Sequence, residues 1–231
     1  MGTVDLIACA LDPALLFEDA AGGAPDEWQS RILRGRHRRL LLCCSRQAGK
    51  STVAAVLALH DAVYRPGSLI LLLSPSQRQS GEIFRKLLNA YRVTGEAVPP
   101  VAESTLALEL ANGSRVVSLP GKEGTVRSFS GVNLLVIDEA ARVSDDLYRS
   151  VRPMLAVSGG RLAALSTPFG KRGWFFEEWT GDNEWEKVQV TAEECPRISA
   201  EFLEEEKKAM GPRWYAQEYL CSFEEDRKSV V

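Results

Sequence analysis

The sequence predicts an α/β fold, a mostly parallel β-sheet flanked by helices, and three observations carry that prediction. Four apolar runs, Leu40 to Cys44, Ser68 to Leu73, Leu134 to Ile137 and Arg161 to Ser166, have the length and continuous hydrophobicity of strands buried on both faces. Helical periodicity alternates with them, so successive strands are joined by right-handed crossovers. Several runs end in small polar or acidic residues, and an open α/β sheet binds its ligands at the carboxyl ends of its strands.

Taken in order, Asp12-Pro13 reads as a helix start and Gly22-Gly23 as a break. Pro25-Asp26-Glu27-Trp28-Gln29 opens a short helix with Asp26 as N-cap, and Trp28, Ile32 and Leu33 form its core face. Val53 to Val63 continues as a buried helix after the first strand. Pro66-Gly67 turns the chain into the second strand, and Ser74-Pro75-Ser76 caps a helix from about Gln77 to Val93. Asn112-Gly113, between Leu106 to Leu110 and Arg115 to Leu119, is a hairpin signal because both residues tolerate positive φ; the hairpin extends the parallel core. Ser144-Asp145-Asp146 starts a helix that Pro153 disturbs. The remainder reads as an aromatic helix (Trp174 to Trp179), a strand over Trp185 to Val190, a helix from Ser199 and an amphipathic piece after Pro212.

Composition bounds the function. The net charge of −3 is unlike a general nucleic-acid binder, so contact with DNA must be local or supplied by further copies or domains. The basic cluster from Arg31 to Arg39 is either a solvated helix end or a DNA patch. No run of about 20 apolar residues spans a membrane. The absence of a basic leader with a long apolar core points to the cytoplasm. Five cysteines, an odd number without C-x-x-C spacing, suggest neither a disulfide framework nor a zinc site.

The chemistry concentrates at the first strand. Leu40 to Cys44 breaks into the polar loop Arg46-Gln47-Ala48-Gly49-Lys50-Ser51-Thr52 at a helix start. Backbone N–H groups there, the Lys50 ammonium and the Ser51 hydroxyl make a triphosphate site with a Mg²⁺ ligand. The common pattern GxxxxGK[ST] would have Gly where this chain has Cys44. Downstream, Asp138 and Glu139 end an apolar strand. Asp138 would hold Mg²⁺ directly or through water, and Glu139 would polarise the attacking water. Gln29 could hydrogen-bond an adenine edge, or be an ordinary helical Gln. Arg127, in the Gly-rich loop 121–131, is either an arginine finger acting on its own or a neighbour's site, or a solvated loop residue. Ser166-Thr167 could sense the γ-phosphate, or form a strand-to-loop exit.

These pieces together resemble the ATPase domain of the large terminase subunit of tailed bacteriophages. The resemblance rests on Arg46-Gln47-x-Gly49-Lys50-Ser51, Pro25-x-x-Trp28-Gln29, Asp138-Glu139-Ala140-Ala141, Ser166-Thr167-Pro168 with Gly170 and Gly173, and Gln217-Glu218-Tyr219-Leu220 through Phe223. It implies an ASCE-type P-loop NTPase fold that uses ATP and Mg²⁺, with a β-hairpin extension and a small C-terminal lid. The implied division is an ATPase core over 1–175 and a lid or linker over 176–231. Gln29 would contact adenine, Lys50 and Ser51 the phosphates and Mg²⁺, and Arg46 the γ-phosphate region. Asp138 would associate with the metal, Glu139 act as base, Arg127 serve as finger, and Ser166-Thr167 couple hydrolysis to lid movement. The implied activity is translocation of double-stranded DNA into a procapsid in the host cytoplasm. Its implied partners are the portal protein and the small terminase subunit, with a homo-oligomeric ring when assembled and a monomer possible in isolation. An RNase H-like nuclease region is not expected in this chain. A standalone or helicase-like P-loop ATPase is the alternative.

Overall fold

The computed structural model describes residues 5–121 and 128–225. Its centre is one eight-stranded sheet. In chain order the strands are β1 (Arg39–Cys44), β2 (Leu69–Ser74), β3 (Pro100–Glu103), β4 (Ala107–Leu110), β5 (Arg115–Pro120), β6 (Leu134–Asp138), β7 (Arg161–Ser166) and β8 (Glu186–Val190). Across the sheet they lie in the order β3-β4-β5-β2-β6-β7-β1-β8, with every pairing from β5 to β8 parallel and β3-β4-β5 antiparallel.

Because side chains alternate along a strand, the same strands serve two cores. Leu40, Leu42, Ile70, Leu72, Leu134, Val136, Ala163 and Leu165 face one layer. That layer holds α2 (Pro13–Ala21), α3 (Glu27–Arg34), α4 (Lys50–Tyr64) and α5 (Gln77–Val93), preceded by the short α1 (Leu6–Leu11). Leu41, Cys43, Leu71, Leu73, Leu135, Ile137, Leu162 and Ala164 face the other, formed by α6 (Asp145–Val151), the 3₁₀ turn Arg152–Leu155 and α7 (Gly173–Thr180).

Helix α4 is buried almost all round, since the sheet lies on one side and α2, α3 and α5 on the other. Its alanines (Ala54, Ala55, Ala58 and Ala62) let backbones approach closely. Asp61 is its one buried acid, paired with Arg161 at the start of β7 (2.5 Å) and with Arg65 (3.4 Å). The Asn112 side chain donates to the carbonyls of Ala62 and Val63 at 2.9 and 3.1 Å, satisfying two helix-end acceptors.

Three features differ from the sequence expectation. The strand after Asn112-Gly113 is a core strand, β5, parallel to β2, while its hairpin partner β4 leads outward to the edge. β3 leaves no mark in the sequence pattern, because all four of its residues are exposed and supply no apolar period. The sheet does not stop at residue 175: β8 pairs with β1, Leu41 opposite Lys187 and Cys44 opposite Val190. Beyond it, α8 (Ala200–Tyr219) bends at Gly211 (φ 75°), just before Pro212. Leu203, Tyr215 and Tyr219 make a satellite core with Ala192. Among the described residues no helix is long and apolar enough to cross a membrane.

Candidate nucleotide site

The sheet order decides what meets at the site. β7 lies between β1 and β6, so three strand ends converge: the loop after Cys44, the acidic pair after Ile137, and Ser166-Thr167 between them. Cys44 is still strand there, fully buried and paired with Val190, and its backbone has no positive φ. A side chain is therefore accommodated where the common motif has glycine. A hydrogen-bonding interaction with Cys221, with burial adding to it, pushes the Cys43 thiol well up, and burial does the same to Cys44, so both stay protonated.

Positive φ falls instead at Gln47 (59°) and Gly49 (90°), the residues that turn the loop into α4. The loop is pinned from behind. Gln29 Nε2 and Arg197 Nη2 both donate to the Ala48 carbonyl, at 3.3 and 3.1 Å. Asp26 binds both of those residues: its N–H donates to Gln29 Oε1 (2.9 Å) and its carboxylate accepts from Arg197 Nη1 (2.7 Å). The Gln29 amide, almost wholly buried, thus ties the α3 cap to the loop in this state. On the other flank Arg46 pairs with the buried Glu218 of α8 (3.0 Å), and its N–H donates to the Glu218 carbonyl (2.9 Å).

At the start of α4 the first N–H groups have no intrahelical acceptor and are available to an anion. Lys50 Nζ lies 3.3 Å from Glu139 Oε1, and Ser51 Oγ donates to Asp138 Oδ2 at 3.2 Å. The Ser51 hydroxyl and the Asp138 carboxylate are adjacent hard oxygen donors, the chemistry a Mg²⁺ ion uses. Burial is the largest influence on Asp138 and raises its pKa; Lys50 opposes that and Glu139 adds to it. A divalent cation would compensate this buried charge, so the residues fit the ion.

Glu139 has left-handed backbone (φ 52°, ψ 42°), uncommon for a residue with a side chain and a mark of functional sites. Its N–H donates to Asp138 Oδ1 at 3.1 Å. The following 3₁₀ turn, Ala140–Arg142, brings Arg142 Nη1 to 3.1 Å from Glu139 Oε2. Ser166 Oγ accepts from the Ala141 N–H (3.1 Å), and Thr167 Oγ1 accepts from Arg142 Nη1 (3.3 Å). Arg46, Gln47, Lys50, Gln79, Glu139, Arg142 and Thr167 line one cavity of about 320 Å³.

The structure thus brings Arg46, Gln47, Lys50, Ser51, Asp138, Glu139, Ser166 and Thr167 together. Ala48, Gly49 and Thr52 lie in the same loop and first helical turn, while Gln29 stands behind it. Arg127 lies outside the described residues. Sequence reading missed Arg142, Gln79 and Arg197, and named Glu218 only within a motif, with no role at the site. Arg142 stands three residues after Glu139, but that spacing matters only once the 3₁₀ turn is known; the other three meet the site through tertiary packing alone.

Gly49 permits a direct test of the loop. A Cβ there would lie 2.7 Å from Gln29 Nε2, on a backbone that favours glycine. Gly49→Ala is expected to displace the Gln29 amide and the loop, lowering nucleotide affinity by tenfold or more and stability by about 1–3 kcal/mol. Titration calorimetry and thermal melting check both; wild-type affinity would contradict the pinned-loop account.

Comparison with known proteins identifies the family. The family model for the N-terminal part of the T4-like type of terminase large subunit matches residues 41–230. The large terminase subunit of Thermus phage G20c is 28% identical over 186 residues, covering 72% of this chain; the chain spans only 38% of that relative's length. The large terminase ATPase domain of Thermus phage P74-26 superposes with a TM-score of 0.79 at 22% identity, covering 92% of this chain and 99% of that one. The large terminase of another thermophilic bacteriophage, solved in complex with ADP, has a TM-score of 0.69 at 14% identity, covering 86% of this chain and 54% of that one. Both structural likenesses speak for a shared fold. With a phosphate-type loop, an acidic strand end and a family match over most of its length, the chain belongs to the terminase large-subunit family, of which it carries the N-terminal region.

Proposed function

We propose that this chain is the ATP-hydrolysing motor part of a viral DNA-packaging terminase, which drives double-stranded DNA into a procapsid. The observation that carries the reading is the convergence of Lys50, Ser51, Asp138 and Glu139 at three strand ends. The loop amides, the α4 N-terminus and Lys50 bind the triphosphate. Ser51 and Asp138 hold Mg²⁺, which when bound neutralises phosphate charge. Glu139 orients a water and takes its proton as the water oxygen bonds to the γ-phosphorus and the bond from that phosphorus to the β–γ bridging oxygen breaks, releasing ADP and phosphate. Ser166 and Thr167, bonded to the turn after Glu139, relay its state to the segment leading into α7 and the C-terminal lid. Arg127 supplies a finger across a ring interface. The ADP complex of the thermophilic-phage terminase supports the choice of nucleotide. Double-stranded DNA, the portal protein and the small terminase subunit are the proposed partners, in the host cytoplasm, with a homo-oligomeric ring as the working assembly. No nuclease activity is proposed for these residues.

The test is steady-state Mg·ATP turnover across a wide range of protein concentration. Lys50→Ala is expected to lower kcat/KM by about 10²- to 10³-fold, as loss of one charge-stabilising donor does. Arg127→Ala should cost about 10³-fold or more if the finger completes a neighbour's site. Turnover should then climb with concentration. No turnover at any concentration, with or without DNA, would overturn the enzymatic reading; a flat rate that Arg127→Ala leaves intact would overturn the finger.

A further inference from the structure

We infer that Arg142 is a positioning residue for Glu139 and the physical link from the hydrolytic carboxylate to Thr167 and Phe169. The inference rests on the proposed ATPase reading and adds a residue that reading does not require. One nitrogen carries the link. Arg142 Nη1 has two N–H bonds, and it reaches Glu139 Oε2 at 3.1 Å and Thr167 Oγ1 at 3.3 Å. The guanidinium carbon lies 4.7 Å from the centroid of the Phe169 ring, a cation–π contact that adds a third partner to the group. The Ala141 N–H adds a parallel bond to Ser166 Oγ at 3.1 Å. The turn carrying Arg142 is therefore fastened to the end of β7 at two adjacent residues.

Glu139 is held by two cations, Lys50 on Oε1 and Arg142 on Oε2. Their fates differ when nucleotide binds. Lys50 belongs to the phosphate loop and is drawn to the phosphates, which frees Oε1 to face water. Arg142 stands outside the loop, keeps Oε2, and so fixes the carboxylate's orientation on its strained backbone. Proton transfer depends steeply on such orientation, while the loop amides, the α4 N-terminus and Lys50 carry most of the affinity for phosphate. A change at Glu139 reaches Thr167 and Phe169 through the same guanidinium.

Arg142→Ala is accordingly expected to lower kcat about tenfold or more, part of the usual worth of a general base, with nucleotide affinity within about twofold of wild type. Arg142→Lys keeps a charge but neither the fork nor the stacking plane, and should recover part of the rate. In a Glu139→Gln background, Arg142→Ala should leave the single-turnover rate unchanged, because its effect runs through Glu139. Melting curves establish that each variant is folded. An unchanged kcat in Arg142→Ala, an equal loss in nucleotide affinity, no rescue by Lys, or a full additive loss in the Glu139→Gln background would each overturn the assignment. Absence of turnover in the wild-type chain would instead sink the ATPase reading itself.

Discussion

Glu139→Gln is expected to lower single-turnover ATP hydrolysis by about 10²- to 10⁴-fold while leaving nucleotide binding intact. The substitution keeps the shape of the side chain and removes its ability to accept a proton. Both present neighbours of the carboxylate are cations, Lys50 at 3.3 Å and Arg142 at 3.1 Å. Lys50 remains in the amide variant, so the phosphates keep their main charge partner. Rapid-quench measurement alongside equilibrium binding separates the two quantities. Loss of binding in step with loss of rate would mean that Glu139 shapes the nucleotide pocket and does not serve as base.

Asp138→Asn should divide function from stability in opposite directions. Turnover is expected to fall about 10²- to 10³-fold, the worth of several kcal/mol of metal-centred charge stabilisation. The nucleotide-free and metal-free protein should nevertheless melt higher. Burial raises the Asp138 pKa in the fold above its unfolded value. Folding stability is then greatest below the unfolded pKa and falls as pH rises through the folded one, so at neutral pH the buried charge is a cost. Asn removes that cost, and its single amide oxygen accepts from either Ser51 or the Glu139 N–H, so the gain is net of one lost hydrogen bond. Each kcal/mol regained corresponds to about 2–4 °C in a chain of this size. The gain should shrink as the pH is lowered and Asp138 becomes protonated. A lower melting temperature for the variant in metal-free buffer at neutral pH would show that the carboxylate stabilises the fold on its own.

Wherever local physics is strong, element and sequence agree closely. Asp26 stands at the N-cap read for it, and Ser76, Ser144 and Ser199 are the N-caps of helices read as starting at those points. Arg161 to Ser166 is β7 end to end, because five consecutive residues buried after Arg161 leave a strand no other pattern. Of the site, the residues on motifs were legible: Lys50, Ser51, Asp138 and Glu139 depend on the geometry of one loop or one strand end. Arg197 and Glu218 were not, since each reaches the phosphate loop from more than 140 residues away in sequence.

By itself, then, the sequence determined every strand but β3, most of the helix starts and the candidate residues of the nucleotide site, because these follow from short-range periodicity, capping and donor type. Only the tertiary structure decided the strand order. Inserting β7 between β1 and β6 places Thr167 beside Arg142 and couples the acidic pair to the segment beyond it. Strand order depends on which buried faces pack best over long sequence separations, and no local pattern in the chain encodes that choice.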